Sequence, residues 1–364
     1  METNKIRLGE IATYVNGYAF KPKDRGNVGL PIVRIQDLTG NARDVGFYNG
    51  EYPKKIEINN GDILISWSAS LGVYVWNKGK ALLNQHIFRV VFDKGEIDKS
   101  FFVYAVRQKL KEMGTKTHGA TMKHIVKKDF DAIEIPYPQI NRQIEIARNM
   151  DKISSVIEKK ERQLKLLDDL IQSRFVEEFG DLKINPKKWK IKTFDEMTDL
   201  ITDGEHATPR RTEEGIYLLS ARNIMNHTIK LEDVDYIDQA EYDRISKRIH
   251  PKEGDVLISC SGTVGRCCSV PAELKFQMVR SVALLRFKNE INPIFAEYMI
   301  TSDYLKEQID RSKTQSSQAN LFQGKIKKLK GFVPPIDLQN QFAAFVQQVN
   351  KSKFVIHKFL YCFI

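Results

Sequence analysis

Apolar and polar positions follow two different patterns along this chain. Short apolar runs bounded by Gly, Asn or Asp predict β-strands, for example at residues 31–38, 62–66 and 87–92. A helical pattern follows at residues 101–113. Residues 143–179 contain no Pro or Gly, and apolar residues recur there at alternating spacings of four and three, which predicts one long helix. The second half repeats this order, with a β-rich region and then a helix that begins near Leu338.

Each predicted long helix carries a narrow apolar seam of the kind that pairs helices in a coiled coil. The first seam consists of Ile146, Met150, Ile153, Ile157, Leu164, Leu167 and Ile171, with Lys160 in its gap. The second seam consists of Phe342, Val346, Val349, Ile356, Leu360 and Phe363, with Lys353 in its gap. Because such a seam needs an apolar partner, we expect the two seams to pair. The alternative is two surface helices, each lying on its own domain.

The β-rich regions also repeat in sequence. Residues 61–72 read Gly-Asp-Ile-Leu-Ile-Ser followed by a closing Gly, and residues 254–265 read Gly-Asp-Val-Leu-Ile-Ser followed by a closing Gly, at an offset of 193. Other blocks recur in the same order at offsets of 186 and 196. A long unit in two copies does not suit a solenoid, whose repeats are shorter and more numerous. It indicates two similar domains that do one kind of task at two places.

These patterns predict an α/β (α+β) fold with an internal pseudo-two-fold repeat. Two β-rich globular domains are expected to be separated by two long coiled-coil helices. The expected boundaries are 1–141 for the first domain, 142–185 for a central helical spacer, 186–335 for the second domain and 336–364 for a C-terminal helical spacer.

The net charge of +11 favours an anionic partner such as nucleic acid. No stretch of the sequence has the roughly 18 consecutive apolar residues of a membrane span, and no signal segment follows Met1, so we expect a cytoplasmic protein that does not bind membranes. Its cysteines show no metal-ligand spacing and are expected to be reduced and mostly buried. We therefore expect neither a metal nor a cofactor.

The sequence also lacks the motifs of common active sites. It has no phosphate-binding loop, no dinucleotide-binding glycine pattern, no Gly-x-Ser-x-Gly elbow and no His-Glu-x-x-His. The adenine methyltransferase tetrad is missing, since Val333-Pro334-Pro335-Ile336 lacks both its polar first residue and its aromatic last residue. The sequence therefore predicts a protein without catalytic residues.

Basic and polar side chains cluster at matched places in the two halves. Residues 107–128 hold seven Lys or Arg against one acid, and residues 306–330 hold seven against two. Lys and Arg bind phosphates, and short polar side chains read base edges. The alternative for such a window is a solvated basic helix face followed by a polar loop. The candidate DNA contacts are Lys21, Lys23, Lys116, Thr117, His118, Lys123, His124, His206, Thr208, Arg210, Arg211, Lys313, Gln315, Ser316 and Gln318.

Taken together, these features resemble the specificity subunits of type I restriction–modification systems. The resemblance extends over essentially the whole chain. It is carried by the two halves, by the repeated Gly-Asp-Ile/Val-Leu-Ile-Ser strand, by the loop at residues 203–209 and by the joins at residues 135–143 and 334–339, each of which leads into a long helix.

The resemblance implies that each β-rich domain is a target-recognition domain, which reads one half of a bipartite, asymmetric double-stranded DNA target. The helices would run antiparallel and fix the length of the DNA spacer between the two half-sites, whose bases are not recognised. The subunit would be non-catalytic and would hold two methyltransferase subunits together with restriction subunits. The second helix ends about a dozen residues before the repeat predicts, so we expect a C-terminal helix that is shorter than is usual in the family.

Two other functions are compatible with parts of the sequence. A fused restriction–methylation enzyme is disfavoured by the missing tetrad and by the length of the chain. A coiled-coil scaffold, or a protein that binds nucleic acid without sequence preference, would need only the helices and the basic windows.

Overall fold

The computed structural model describes residues 4–115, 126–312 and 320–362. The chain divides into two compact units, Met1–Glu158 and Lys159–Ile364. Unit 1 and unit 2 are described separately below.

Unit 1 contains a β-rich region and the start of the first long helix. Its elements in chain order are β1 (Lys5–Arg7), α1 (Leu8–Ile11), β2 (Thr13–Asn16), β3 (Leu30–Val33), α2 (Ile35–Thr39), β4 (Phe47–Tyr48), β5 (Glu57–Ile58), β6 (Ile63–Ser66), β7 (Gly72–Val75), β8 (Ala81–Leu83), β9 (Ile87–Val91), α3 (Lys99–Thr115), α4 (Lys127–Asp131), β10 (Glu134–Pro136) and α5 (Ile140–Phe179), the last of which continues into unit 2.

Unit 2 repeats this order with insertions. Its further elements are β11 (Lys190–Thr193), α6 (Phe194–Met197), β12 (Thr198–Asp203), β13 (Ile216–Leu219), β14 (Ile224–Met225), β15 (Thr228–Ile229), β16 (Asp235–Ile237), α7 (Gln239–Ser246), β17 (Val256–Ser259), β18 (Cys267–Ser269), β19 (Phe276–Met278), β20 (Val282–Phe287), α8 (Pro293–Ile300), α9 (Asp303–Ser312), α10 (Gln323–Ile326), β21 (Lys330–Val333) and α11 (Ile336–Tyr361).

The sheets of the two units have the same topology. Unit 1 has an antiparallel sheet in the order β2-β9-β6-β7, and unit 2 has its counterpart in the order β12-β20-β17-β18. Beside these sheets, β3 pairs in parallel with β8, and β13 pairs in parallel with β19. The ends of each β-rich region are joined by the pairs β1-β10 and β11-β21. The repeat in the sequence is therefore a repeat of the fold.

The repeated apolar triplet lies on a strand that is buried on both faces. In β6, Ile63 and Ile65 belong to the core under α3, whereas Leu64 belongs to the core under the β3-β8 sheet. In β17, Val256 and Leu257 likewise lie in different cores. Because both faces are covered, the strand is continuously apolar instead of alternating with polar residues. This explains why the triplet is the clearest repeat in the sequence.

The prediction of a strand at residues 31–38 is only partly correct. The chain is extended as far as Val33, and it then forms the short helix α2. The backbone N–H of Arg34 donates to the Asp37 carboxylate at 2.8 Å, and Gly40 ends the helix with a φ of 76°. A local capping interaction therefore overrides the β propensity of the apolar residues.

In unit 2, α5 and α11 pack antiparallel to each other. Ile171, Phe175 and Phe342 belong to one core cluster, and the rings of Phe175 and Phe342 lie 5.4 Å apart. Successive contacts run in opposite directions along the two helices, namely Lys160 with Phe359, Asp168 with Lys353, Arg174 with Phe345 and Phe179 with Phe342. The predicted pairing of the two long helices is confirmed.

The structure also extends the predicted seam. Phe175 and Phe179 continue it beyond Ile171 and are buried against Phe295 of α8, so the helix pair shares its core with the β-rich part of unit 2. The seam side chains of α11 at Phe342, Val346, Val349, Ile356 and Leu360 are all buried, whereas Met150 and Ile153 of α5 are exposed. Ile146, Ile157, Leu164 and Leu167 are half-buried, and Phe363 lies outside the described residues.

Candidate nucleic-acid interface

Each unit has a loop that begins with a closely packed glycine. The N–H of Gly17 donates to the carbonyl of Ile87 at 3.1 Å, and the N–H of Gly204 donates to the carbonyl of Val282 at 2.9 Å. A Cβ atom on Gly17 would lie 2.0 Å from the carbonyl oxygen of Asn84, and one on Gly204 would lie 2.3 Å from that of Val279. Only glycine allows the loop to approach its neighbouring turn so closely.

The repeated Gly-Asp and Ser residues hold the strand that ends beside this loop. Gly61 and Gly254 have φ values of 89° and 80°, which glycine adopts without strain. The buried hydroxyl of Ser259 donates to the carbonyl of Thr263 at 2.6 Å, and Ser66 makes the equivalent bond to Ser70. These serines therefore support the turn that follows each strand.

In unit 2 the loop, the end of β17, the turn before β20 and residues 320–322 line a cleft of about 360 Å³. Its lining includes Asp203, His206, Ser261, Arg280, Asn320 and Phe322. Asn320 reaches the cleft through a backbone bridge to Ser261, and the N–H of Leu321 donates to the carbonyl of Cys260 at 2.9 Å. The cleft thus presents a guanidinium, a carboxylate, an imidazole and amide groups, which can recognise the donors and acceptors of a base edge.

Asp203 lines this cleft with a half-buried side chain. Burial raises the pKa of its carboxyl, and the positive charges of His206 and Arg248 oppose that rise only in part. The Nε2 atom of His206 lies 3.8 Å from Oδ2 of Asp203. At this distance the two groups interact by charge without a hydrogen bond, and most of the His206 side chain is exposed.

The loop is held from below by Glu205, which sequence reasoning missed. Its buried carboxylate lies 3.4 Å from Nη1 of Arg244 and 3.6 Å from Nη2 of Arg248, and it accepts the N–H of Ala207 at 3.3 Å. Arg248 also donates to the carbonyl of Gly204 at 2.8 Å. The only signal in the sequence is a pair of arginines four residues apart, Arg244 in α7 and Arg248 just after it, and nothing local connects them to Glu205.

The matched edge of unit 1 is aromatic instead of charged. Tyr18 stands in the place of Glu205, and its ring contacts that of Phe20 edge-on at 5.0 Å. Phe20 in turn contacts Tyr48 at 5.1 Å. Trp67, which follows β6, packs edge-on against His86 at 4.8 Å. The two units therefore offer different chemistry on the same backbone.

The predicted contact residues within the described part of the chain are all exposed. Lys21 precedes the short helical turn Pro22–Asp24 of unit 1 and Lys23 lies within it, while His206 and Thr208 lie on the loop of unit 2. Arg210 and Arg211 form ion pairs with Asp238 at 2.5 Å and Asp235 at 2.9 Å. These acids neutralise part of the charge that a phosphate would meet, so DNA contact by Arg210 and Arg211 stays a prediction.

The remaining predicted contacts are not described by the structure. Lys116, Thr117, His118, Lys123, His124, Lys313, Gln315, Ser316 and Gln318 lie outside the described residues.

The described residues contain no cluster of His, Cys, Asp and Glu that could hold a metal ion. In the same part of the chain, no helix is both long enough and apolar enough to span a membrane. Cys260, Cys267 and Cys268 are buried free thiols, and burial raises the pKa of Cys260 to about 12.

The family model for the type I restriction modification DNA specificity domain matches residues 1–167 and again residues 186–360. The two matches together cover most of the chain, and each contains one of the two repeated β-rich regions. The chain belongs to this family and is a non-catalytic DNA specificity subunit of a type I restriction–modification system.

Individual relatives agree with this assignment. The chain is 22% identical over 375 residues to the type I restriction enzyme EcoBI specificity subunit of Escherichia coli. The aligned region covers 95% of this chain and 78% of that protein. It is 20% identical over 323 residues to the MjaVIII specificity subunit of Methanocaldococcus jannaschii, and the aligned region covers 82% of this chain and 74% of that protein. The fold matches the crystal structure of a type I system S subunit from M. genitalium with a TM-score of 0.58 and 16% identity, over 99% of this chain and 92% of that one.

Proposed function

We propose that each unit reads one half of a bipartite, asymmetric DNA target, with an unread gap between the halves. The observation that carries this proposal is the pair of matched loop sites, which share backbone hydrogen bonds and differ in side chains. Two domains that have the same loop backbone but different side chains recognise two different short DNA sequences. The net charge of +11 supplies affinity for the phosphates of both halves.

The same subunit docks two adenine methyltransferase subunits and, with them, restriction subunits. This part of the proposal is supported by large apolar side chains that stand exposed on the long helices in unit 2. Leu166 is 61% exposed on α5, and Phe354 and Val355 are 68% and 66% exposed on α11. These side chains are available for apolar contacts with a docked subunit. Because the target is cellular DNA, the complex acts in the cytoplasm.

The test is methylome sequencing of a host that expresses this chain with its methyltransferase subunit, compared with a host that expresses the methyltransferase alone. We expect a new split motif, made of two short blocks separated by a fixed gap. If the two proteins co-purify and no new motif appears, the proposal is wrong. Salt-dependent binding of the complex to duplex DNA without sequence preference would instead favour a non-specific binding protein.

A further inference from the structure

Gln85 and Arg280 occupy the same position in the two units. The residue before each of them, Asn84 or Val279, forms a parallel bridge to the loop, with Tyr18 in unit 1 and Glu205 in unit 2. The N–H of Gln85 then donates to the carbonyl of Tyr18 at 2.9 Å, and the N–H of Arg280 donates to the carbonyl of Glu205 at 3.0 Å. The backbone of this turn is therefore the same in both units, although the side chains differ in shape and charge.

The turn is held firmly on both sides. The N–H of Asn84 donates to the carbonyl of Val33 at 3.0 Å, and that of Val279 donates to the carbonyl of Leu219 at 3.0 Å, so each turn is also tied to the parallel strand beside it. The close approach of Gly17 and Gly204 leaves no space for movement toward the loop. Such a support fixes where each side chain leaves the backbone, which is the first requirement of sequence recognition.

Both side chains are available to a ligand. Gln85 and Arg280 are exposed, and Arg280 lines the cleft of unit 2 together with Asp203, His206 and Asn320. Arg210, Arg211 and Arg286 all pair with carboxylates. Among the described residues, by contrast, no carboxylate forms an ion pair with Arg280, so its guanidinium keeps its donors for another acceptor.

We propose that Gln85 and Arg280 are matched base-reading residues, one for each half of the target. The proposal rests on the proposed function of the two units. The planar guanidinium of Arg280 fits the O6 and N7 acceptors of guanine, and the amide of Gln85 fits the N6 donor and N7 acceptor of adenine, both in the major groove. Because the supporting backbone is the same, exchanging the two residue types exchanges the base preference at one position of each half-site.

The experiment is methylome sequencing with the complete methyltransferase–specificity complex, for the wild type, Arg280→Gln and Gln85→Arg. In the wild type we expect a guanine at one position of one block and, in the other block, an adenine besides the methylated one. Arg280→Gln should reduce the preference for that guanine over other bases by about tenfold or more and leave the other block unchanged. Gln85→Arg should change one position in the other block only.

Two control variants separate base reading from a general effect of charge. Lys275→Gln removes a positive charge at the opposite end of β19 from Arg280, and Gln36→Arg adds one to an exposed position on α2 in unit 1. Both should keep the wild-type motif. Arg280→Lys keeps the charge but loses the planar fork, so it should relax the same position as Arg280→Gln while methylation remains measurable.

Other outcomes overturn the inference without touching the proposed function. If the wild type makes a split motif and Arg280→Gln lowers methylation at every site while the motif stays the same, Arg280 contacts phosphate and does not read a base. An unchanged motif at an unchanged level excludes any contact. Failure of the proposed function would instead show as the absence of a split motif in the wild type.

Discussion

The Nζ atom of Lys353 on α11 lies 2.5 Å from Oδ1 of Asp168 on α5, at the position where the second apolar seam is interrupted. The lysine is partly buried and the aspartate is mostly exposed. The gap in the seam is therefore a polar contact between the two helices, which sits among apolar contacts such as that of Phe175 with Phe342.

This ion pair should contribute little to stability. Since Asp168 is solvated, we expect Asp168→Ala to lower the free energy of unfolding by about 0.5 kcal/mol, and by less as salt is added. Lys353→Leu should leave stability unchanged or increase it, because it completes the seam. Urea denaturation at low and high salt measures both effects, and a loss of several kcal/mol in Asp168→Ala would contradict this view.

The apolar contacts of the helix pair should matter far more. The ring of Phe342 is fully buried and lies 5.2 to 5.5 Å from the rings of Tyr298, Phe175 and Phe179. We expect Phe342→Ala to lower the free energy of unfolding by about 3–5 kcal/mol, because it removes buried surface and leaves a cavity. The exposed Leu166 on α5 is the control, and Leu166→Ala should change stability by no more than about 0.5 kcal/mol. Equal losses in the two variants would mean that the helices do not share a core.

The close approach of the loop to its neighbouring turn should depend on Gly204. In Gly204→Ala the new methyl group would meet the backbone of Val279, so the loop must move away from the turn that carries Arg280. We expect a relaxed base preference in one block of the split motif, together with a measurable loss of stability in unit 2. Gly324→Ala is the control, since a Cβ there meets nothing within 4 Å, and it should keep the motif. Retention of the full motif in Gly204→Ala would show that the close packing is not needed.

Asp203 should make stability depend on pH. Burial raises the pKa of its carboxyl in the folded chain above the value in the unfolded chain. The folded state therefore binds the proton more tightly, so this group adds stability as the pH falls through the folded pKa and opposes folding at neutral pH. We expect Asp203→Asn to raise the free energy of unfolding at neutral pH. The contribution of this group that grows as the pH falls should be missing in the variant. Urea titrations of both proteins over that range check the sign, and a steeper rise in the variant would contradict it.

Local signals in the sequence were sufficient for several features. The strands β6 and β17 could be predicted because both of their faces are buried and their sequences are continuously apolar. The helix α5 could be predicted because it lacks Pro and Gly and has regular apolar spacing. The short helix at Ile35–Thr39 was missed, since its capping by Asp37 competes with strand propensity over only a few residues. Phe175 and Phe179 were not assigned to the seam because their partner, Phe295, is remote in the sequence.

The sequence by itself determined the two-fold repeat, the long helices and the absence of catalytic motifs, because periodicity and spacing are local properties. Only the tertiary structure brought Arg280 beside the loop at Gly204, and only it paired the carboxylate of Glu205 with Arg244 and Arg248. These contacts join residues that are 39 or more positions apart, and no local pattern encodes them. Local patterns in the sequence predicted the fold, whereas the proposed DNA-reading surface depends on which turns the sheets place side by side.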